Sequence, residues 1–340
     1  MAKNNVSPKG RLIEIDGVKF QLIDGKLFRY ADMTMDKGFK IVLGRIGSEE
    51  LLMNMLNRLL DIRIIHLEYR NTEHPGMTEE ERESRFDVYC EDESGRAFEV
   101  EMQNWSQKFF NKRAVYYSSL VVLDQASKAQ REAKSRRKDW DYNFKPLYVV
   151  CFLNFDNWIR PADEEEKYVS AYKYLDIENG NELGDGTNLV FINLYDFKKK
   201  IEECRNLEDA WLYSIKNMLK LTECPEQIKG TEVEELFLRA ELAKMTLKQR
   251  IIVEEDIMTR NDILNHIAEV TAEAKSIAMA EGLEEGRAEG RAEGRAEGRA
   301  EGRAEGRSEI IQRFLAGGMT IEDIASVTGF SRKELEEMTR

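Results

Sequence analysis

The stretch KPLYVVCFLNF, residues 145–155, constrains this chain most. After Pro146 it runs apolar without alternation, and a strand apolar on both sides must be covered on both faces. It predicts a central strand of a sheet with helices packed above and below. NLVFINLYDF (188–197) reads as a further strand, and IIHLEYRN (64–71) is strand-like. A helix is predicted over 49–60, where Ser48 precedes Glu49 and Glu50 as an N-cap with an acidic first turn. Leu52, Met55, Leu56 and Leu59 follow at helical spacing. Further helices are predicted over 111–130 and 207–220, the second with Trp211, Ile215 and Met218 on one face. The order helix, hairpin, helix, strand, strand, helices implies a mixed sheet flanked by helices, an α/β sandwich.

The hairpin carries the chemistry. FDVYC (86–90) and FEVEMQ (98–103) alternate on either side of the turn EDESGR. Apolar must oppose apolar, because a one-residue slip flips every side chain. Pairing 86 with 102, 88 with 100 and 90 with 98 sets Asp87 opposite Glu101 and Tyr89 opposite Glu99, with Gln103 on the same face. Opposed carboxylates repel, so the pair needs a cation, a shared proton or full solvation. Mg²⁺ suits such a site, since it prefers carboxylate oxygens and needs few protein ligands. The alternative is an exposed acidic face balanced by a Lys or Arg. The segment 73–84, EHPGMTEEERES, reads as a charged loop.

Composition narrows the options. Apolar residues make up 42% and charged residues 34% of the 340-residue chain, as in a globular protein with a charge-rich helical portion. No run approaches about 18 apolar residues, so no membrane span is expected. The N-terminal stretch lacks the apolar core of a secretory signal. Four scattered cysteines without a CxxC pair fit a reduced, cytoplasmic setting. Only three histidines are present, so a metal would be held by oxygen. The net charge of −13 argues against broad nonspecific nucleic-acid binding. One local basic run exists, KAQREAKSRRK at 128–138, with Lys128, Arg131, Lys134, Arg136, Arg137 and Lys138 against Glu132 alone. It reads as a solvated face or as a polyanion contact.

The ends differ from the middle. Residues 1–30 hold alternating runs broken by Asp16-Gly17 and Asp24-Gly25, a hairpin signal and a short β extension. A core over 31–225 follows, then a Glu-, Ala-, Lys- and Leu-rich helical region, 226–287. AEGR then repeats five times, Ala288 to Arg307. Its i,i+4 pairs are like-charged, and each glycine costs a helix about 1 kcal/mol against alanine. A helix-capable but weak tether is expected, open to self-association. Residues 308–340 form a small module: Gly317 and Gly318 break a first helix, Thr320 caps a second, and Gly329 with Ser331 turns into a third. This resembles half a helix-turn-helix, but ELEEM is acidic where a recognition helix is basic.

The ordered set DKGFKIVLG (36–44), ELLMNMLNRLLD (50–61), DVYCEDESGRAFEVEMQ (87–103), FFNKRAVYYSSLV (109–121), PLYVVCFLNF and VFINLYDFKK resembles the Rpn family of recombination-promoting nucleases, transposase-like members of the PD-(D/E)XK superfamily. The resemblance spans about 30–340. It implies a restriction-endonuclease-like fold, a mixed central sheet flanked by helices, with a helical C-terminal extension. It also implies Mg²⁺-dependent (or Mn²⁺-supported) hydrolysis of DNA phosphodiesters, tied to recombination or transposition. Asp87 matches the first motif acid and Glu101 the second. The main-chain carbonyl of Met102 is a further metal ligand on this pattern. Gln103 stands where the superfamily usually has lysine, and an amide orients water but supplies no charge. Glu50 corresponds to an auxiliary acid of the first helix, with Glu49 equally placed. Arg113 and Tyr117 match a recurring pattern after the motif, touching phosphate or packing. The basic run 128–138 would then follow the DNA backbone. A rival reading is a catalytically weak scaffold that binds DNA or forms homo-oligomers through its helical C-terminus.

Overall fold

The computed structural model describes residues 10–70, 87–106, 109–140, 142, 145–156, 167–184 and 186–338. The predicted loop 73–84 and Phe86 lie outside these residues. The N-terminal alternation folds as Arg11–Ile15 (β1), Val18–Ile23 (β2) and Lys26–Phe28 (β3), an antiparallel sheet. Its two tight turns place Asp16, Gly17, Asp24 and Gly25 at positive φ, the geometry that makes Asp-Gly the favoured hairpin turn.

The second sheet has six strands, Leu67–Tyr69 (β4), Val88–Asp92 (β5), Ala97–Gln103 (β6), Leu147–Leu153 (β7), Val169–Tyr172 (β8) and Thr187–Asn193 (β9). Their order is β4-β5-β6-β7-β9-β8. Strands β6, β7 and β9 run parallel, while β4, β5 and β8 are antiparallel to their neighbours. The apolar run 147–153 is therefore central, and both its faces are covered. One face meets Asp36–Leu43 (α1), Glu49–Leu60 (α2), Leu207–Asn217 (α4) and Glu234–Ala240 (α5). That side is the main core, with Phe39, Leu52, Phe98, Phe152 and Trp211 fully buried. Burying each such side chain stabilises the fold by about 1.5–3 kcal/mol. The other face meets Phe110–Ser135 (α3), whose Phe110, Ala114 and Val121 pack on Ala97, Val149, Cys151 and Phe191.

Two compact units emerge, Met1–Asp262 and Ile263–Arg340. Residues 226–262, read from composition as the start of a helical region, contribute Ile228, Phe237, Val253 and Ile257 to the core of the first unit. Leu247–Ala316 (α6) is one continuous helix that includes every AEGR repeat. The repeats are exposed, and a Cβ at Gly290, Gly294, Gly298 or Gly302 would meet nothing. In the second unit, Ile321–Thr328 (α7) begins at Thr320, whose hydroxyl and Asp323 form a capping box, and stops at Gly329. Ser331 and Glu334 start Arg332–Met338 (α8) through reciprocal hydrogen bonds. Ile311, Ile324 and Leu335 form the buried centre of that module.

The hairpin turn between β5 and β6 is built on one carboxylate. Asp92 accepts hydrogen bonds from Ser94 N (2.9 Å), Ser94 Oγ (2.8 Å) and Arg96 N (2.9 Å) and an ion pair from Arg96 Nε (2.5 Å). Burial alone would raise the Asp92 pKa, but the Ser94 and Arg96 donors outweigh it and hold it below the usual range. Its stabilisation is thus present above the ordinary aspartate pKa and lost as pH falls through the depressed one. Asp92→Ala should cost about 2–4 kcal/mol at pH 7. Urea melts of both proteins should show that gap narrowing below about pH 4; a gap independent of pH would contradict this account of the turn.

Candidate active site

The register of β5 and β6 is one of those the alternation permits, and the first one it suggests: Val88 pairs with Val100, Tyr89 with Glu99 and Cys90 with Phe98. Asp87 stands just outside the ladder, in the bend that leads into β5. Its Oδ2 accepts the Met102 N–H at 2.8 Å, which satisfies that buried backbone donor. Asp87 is 6% exposed.

The acid that meets Asp87 from the helical layer is Asp36, at the first position of α1, in side-chain hydrogen-bond contact. Burial raises the Asp87 pKa far above the carboxylate range. The Asp36 contact and the Glu101 charge raise it further, and the Met102 N–H opposes them. Two carboxylates in contact require a proton or a cation between them at neutral pH. Asp36 is exposed, so this pair opens to solvent on one side.

Glu101 is half-buried on β6. Its Oε1 accepts a hydrogen bond from Gln103 Nε2. Burial raises its pKa, Arg113 and Gln103 pull it down, and the Asp36 charge adds to the rise. Arg113, in the first turns of α3, also stacks over the Tyr117 ring at 5.5 Å. The face of FEVEMQ that carries Glu99, Glu101 and Gln103 is thus roofed by α3 and is no wet acidic surface. Glu99 is fully buried, and burial raises its pKa well above the usual value, with Glu101 adding.

Structure and sequence differ at the auxiliary acid. Glu50 is exposed and lines a separate cleft with Glu49, Met53, His66 and Glu68. That cleft lies beside β4, and neither Asp87 nor Glu101 lines it. Asp36 was not singled out, although DKGFKIVLG offered an acid opening a short apolar run that ends in glycine. The basic run begins on the last turns of α3 and continues past it. Lys128 pairs with Asp124 (2.7 Å) and Arg136 with Glu132 (3.6 Å). Arg131, Lys134, Arg137 and Lys138 are exposed. At about 1.5 Å per residue the helical part of the run lies roughly 20–35 Å along α3 from Arg113.

Acids gathered at the carboxyl end of β6, on a mixed sheet whose central strands are parallel, match the crevice where α/β sheets bind ligands. A sequence model of the family described as PD-(D/E)XK nuclease family transposase matches residues 33–270. The chain belongs to this family. Neither a curated protein nor a solved structure matches it. The PD-(D/E)XK match encloses Asp36, Asp87, Glu101, Gln103 and Arg113, and also the first turns of α6. It agrees with the restriction-endonuclease-like arrangement of sheet and helices and gives the chain a nuclease-like character. Among the described residues no helix is long and apolar enough to cross a membrane.

Proposed function

We propose that this PD-(D/E)XK protein is a DNA endonuclease dependent on Mg²⁺, with Mn²⁺ as a substitute, and that it acts in recombination or transposition-like processing of DNA. The observation that carries the reading is the buried Asp87 carboxylate in contact with Asp36 and next to Glu101. This donor set is all hard oxygen, as a small divalent cation requires. Among the described residues no group of three or more Asp, Glu, His or Cys side chains stands placed to hold a metal ion, so the reading requires the acids to move together. Asp36 and Asp87 would hold the ion between them, and Glu101 would join them by releasing Gln103. The Met102 carbonyl is a fourth candidate donor.

A divalent cation held there supplies a more acidic bound water and offsets charge on the scissile phosphate. The chain's own groups do the rest. Gln103, freed from Glu101, orients the attacking water through its amide but brings no charge. Arg113 brings the positive charge that lysine supplies elsewhere in the superfamily, because it already acts on Glu101 from α3. Lys128, Arg131, Lys134, Arg136, Arg137 and Lys138 contact phosphates farther along the duplex, roughly one helical repeat (about 34 Å) away at most. The four cysteines are unpaired, in keeping with a cytoplasmic setting. The helical C-terminal region pairs with a second copy: Ile263, Ile267, Val270, Ala274 and Ile277 follow coiled-coil spacing, and Ile267, Val270 and Ile277 are each about half exposed.

The test is supercoiled plasmid incubated with purified protein and Mg²⁺ or Mn²⁺, beside Asp87→Ala and Glu101→Ala. Nicking or linearisation by the parent alone is expected. Equal nicking by all three would end the catalytic assignment, and DNA binding without nicking by the parent would favour the scaffold reading.

A further inference from the structure

Helix α1 begins without a cap of its own. Met35 occupies the N-cap position and offers no side-chain acceptor, which leaves the first-turn N–H groups in need of partners. One partner comes from far along the chain. Asp256, in the third turn of α6 and 4% exposed, accepts the Gly38 N–H through Oδ2 at 2.9 Å. Its other oxygen lies 3.8 Å from Lys37 Nζ, and Glu255 Oε2 lies 3.4 Å from the same ammonium. One turn later Arg260 Nε pairs with Asp32 Oδ2 at 3.1 Å. Asp32 Oδ1 in turn accepts the Thr34 N–H at 2.9 Å, which fixes the chain just ahead of α1. On the sheet side Asn104 Nδ2 lies 3.3 Å from Met35 Sδ.

These contacts bracket Asp36. Asp32 ahead of it and Lys37 and Gly38 after it are gripped by α6, while its own carboxylate is left to meet Asp87. Gly38 also has no room to give, since a Cβ there would stand 2.2 Å from the Asp32 carbonyl oxygen. The first turn of α1 is therefore held in one place by α6, whose Asp256 also lies within electrostatic reach of Asp36 and Asp32.

We propose that Asp256 is a positioning residue: it acts as an N-cap supplied from α6 that keeps Asp36 against Asp87 and so preorganises the cation site. This rests on the metal-dependent reading above, but its first consequence is independent of any metal. Without the Asp256 acceptor the first turn of α1 opens more often, and Asp36 spends less time on Asp87. Asparagine keeps an oxygen for the Gly38 N–H and should restore the hold.

The experiment compares the full-length protein with Asp256→Ala, Asp256→Asn and Glu254→Gln. The last alters the neighbouring buried contact of α6 to Gly10 N (2.6 Å), away from Asp36. Amide hydrogen exchange read by mass spectrometry, without metal, should be at least tenfold faster over residues 36–39 in Asp256→Ala. It should be near the parent rate in the other two. Mn²⁺ titrations should show about tenfold weaker binding in Asp256→Ala, recovered in Asp256→Asn. Unchanged exchange over 36–39 in Asp256→Ala would overturn the proposal. So would Asp256→Asn behaving like alanine, or Glu254→Gln reproducing the same effects. A parent protein that binds no Mn²⁺ would count against the metal reading, and the exchange data would still decide the cap.

Discussion

Asp87→Asn is expected to abolish DNA cleavage, with a loss of about 10³-fold, while leaving the fold at least as stable as the parent. The activity loss follows from removing the central charge of the site, on the scale seen when a group that stabilises transition-state charge is deleted. The stability follows from burial. Asp87 is 6% exposed and its pKa is pushed far up by burial and by Asp36. The folded state therefore favours the neutral carboxyl at pH 7, and its stabilisation is greatest below the ordinary aspartate pKa and falls as pH rises. Asparagine is neutral at every pH, keeps an acceptor for the Met102 N–H and can donate to Asp36. Thermal melts and plasmid assays on one preparation check both halves. A variant that is inactive because it has unfolded, or folded and fully active, would contradict the argument.

Gly38→Ala should reverse the usual sign of a glycine-to-alanine change in a helix. In an open helix interior the substitution gains up to about 1 kcal/mol. At position 38 the new methyl would meet the Asp32 carbonyl oxygen at 2.2 Å and its carbon at 3.1 Å. Both are backbone atoms, and the carbonyl oxygen accepts the Met35 N–H at 3.3 Å while Thr34 and Arg260 hold the Asp32 carboxylate, so no side chain can swing aside. The expected cost is about 1–3 kcal/mol, the range for overpacking. Cleavage should fall more steeply, because relief of the clash moves the turn that carries Asp36, and a shift of about 1 Å can cost 10²-fold. Chemical denaturation and single-turnover cleavage measure the two effects. A stabilised, active Gly38→Ala protein would remove the rigid first turn of α1 from this account.

The contrast between these two positions explains what was legible in the sequence. The run 147–153 announced a strand buried on both faces, and the alternation of 88–90 with 98–100 admitted only registers that set apolar against apolar, one of which the sheet adopts. Both are local patterns, one an unbroken apolar run and the other an alternation in which a one-residue slip flips every side chain to the other face. Asp36 was not legible in this way. Whether α1 or α2 brings its first turn to the end of β6 is decided by packing between distant segments, and each helix opens with an acid. The capping role of Asp256, 218 residues from its partner, lies equally beyond any local pattern. The burial of Glu99 was hidden for a different reason. Acidic residues are rarely fully buried, so alternating glutamates on β6 read as a solvent face until α3 is placed above them.

The most direct test of the central claim, that Asp36, Asp87 and Glu101 share one divalent cation, is the Mn²⁺ stoichiometry and affinity of the full-length protein by electron paramagnetic resonance. One tight Mn²⁺ per chain is predicted for the parent and for Glu50→Ala, and it should be lost in Asp36→Ala and in Asp87→Asn. Undiminished binding in Asp36→Ala and Asp87→Asn, with loss in Glu50→Ala, would contradict it.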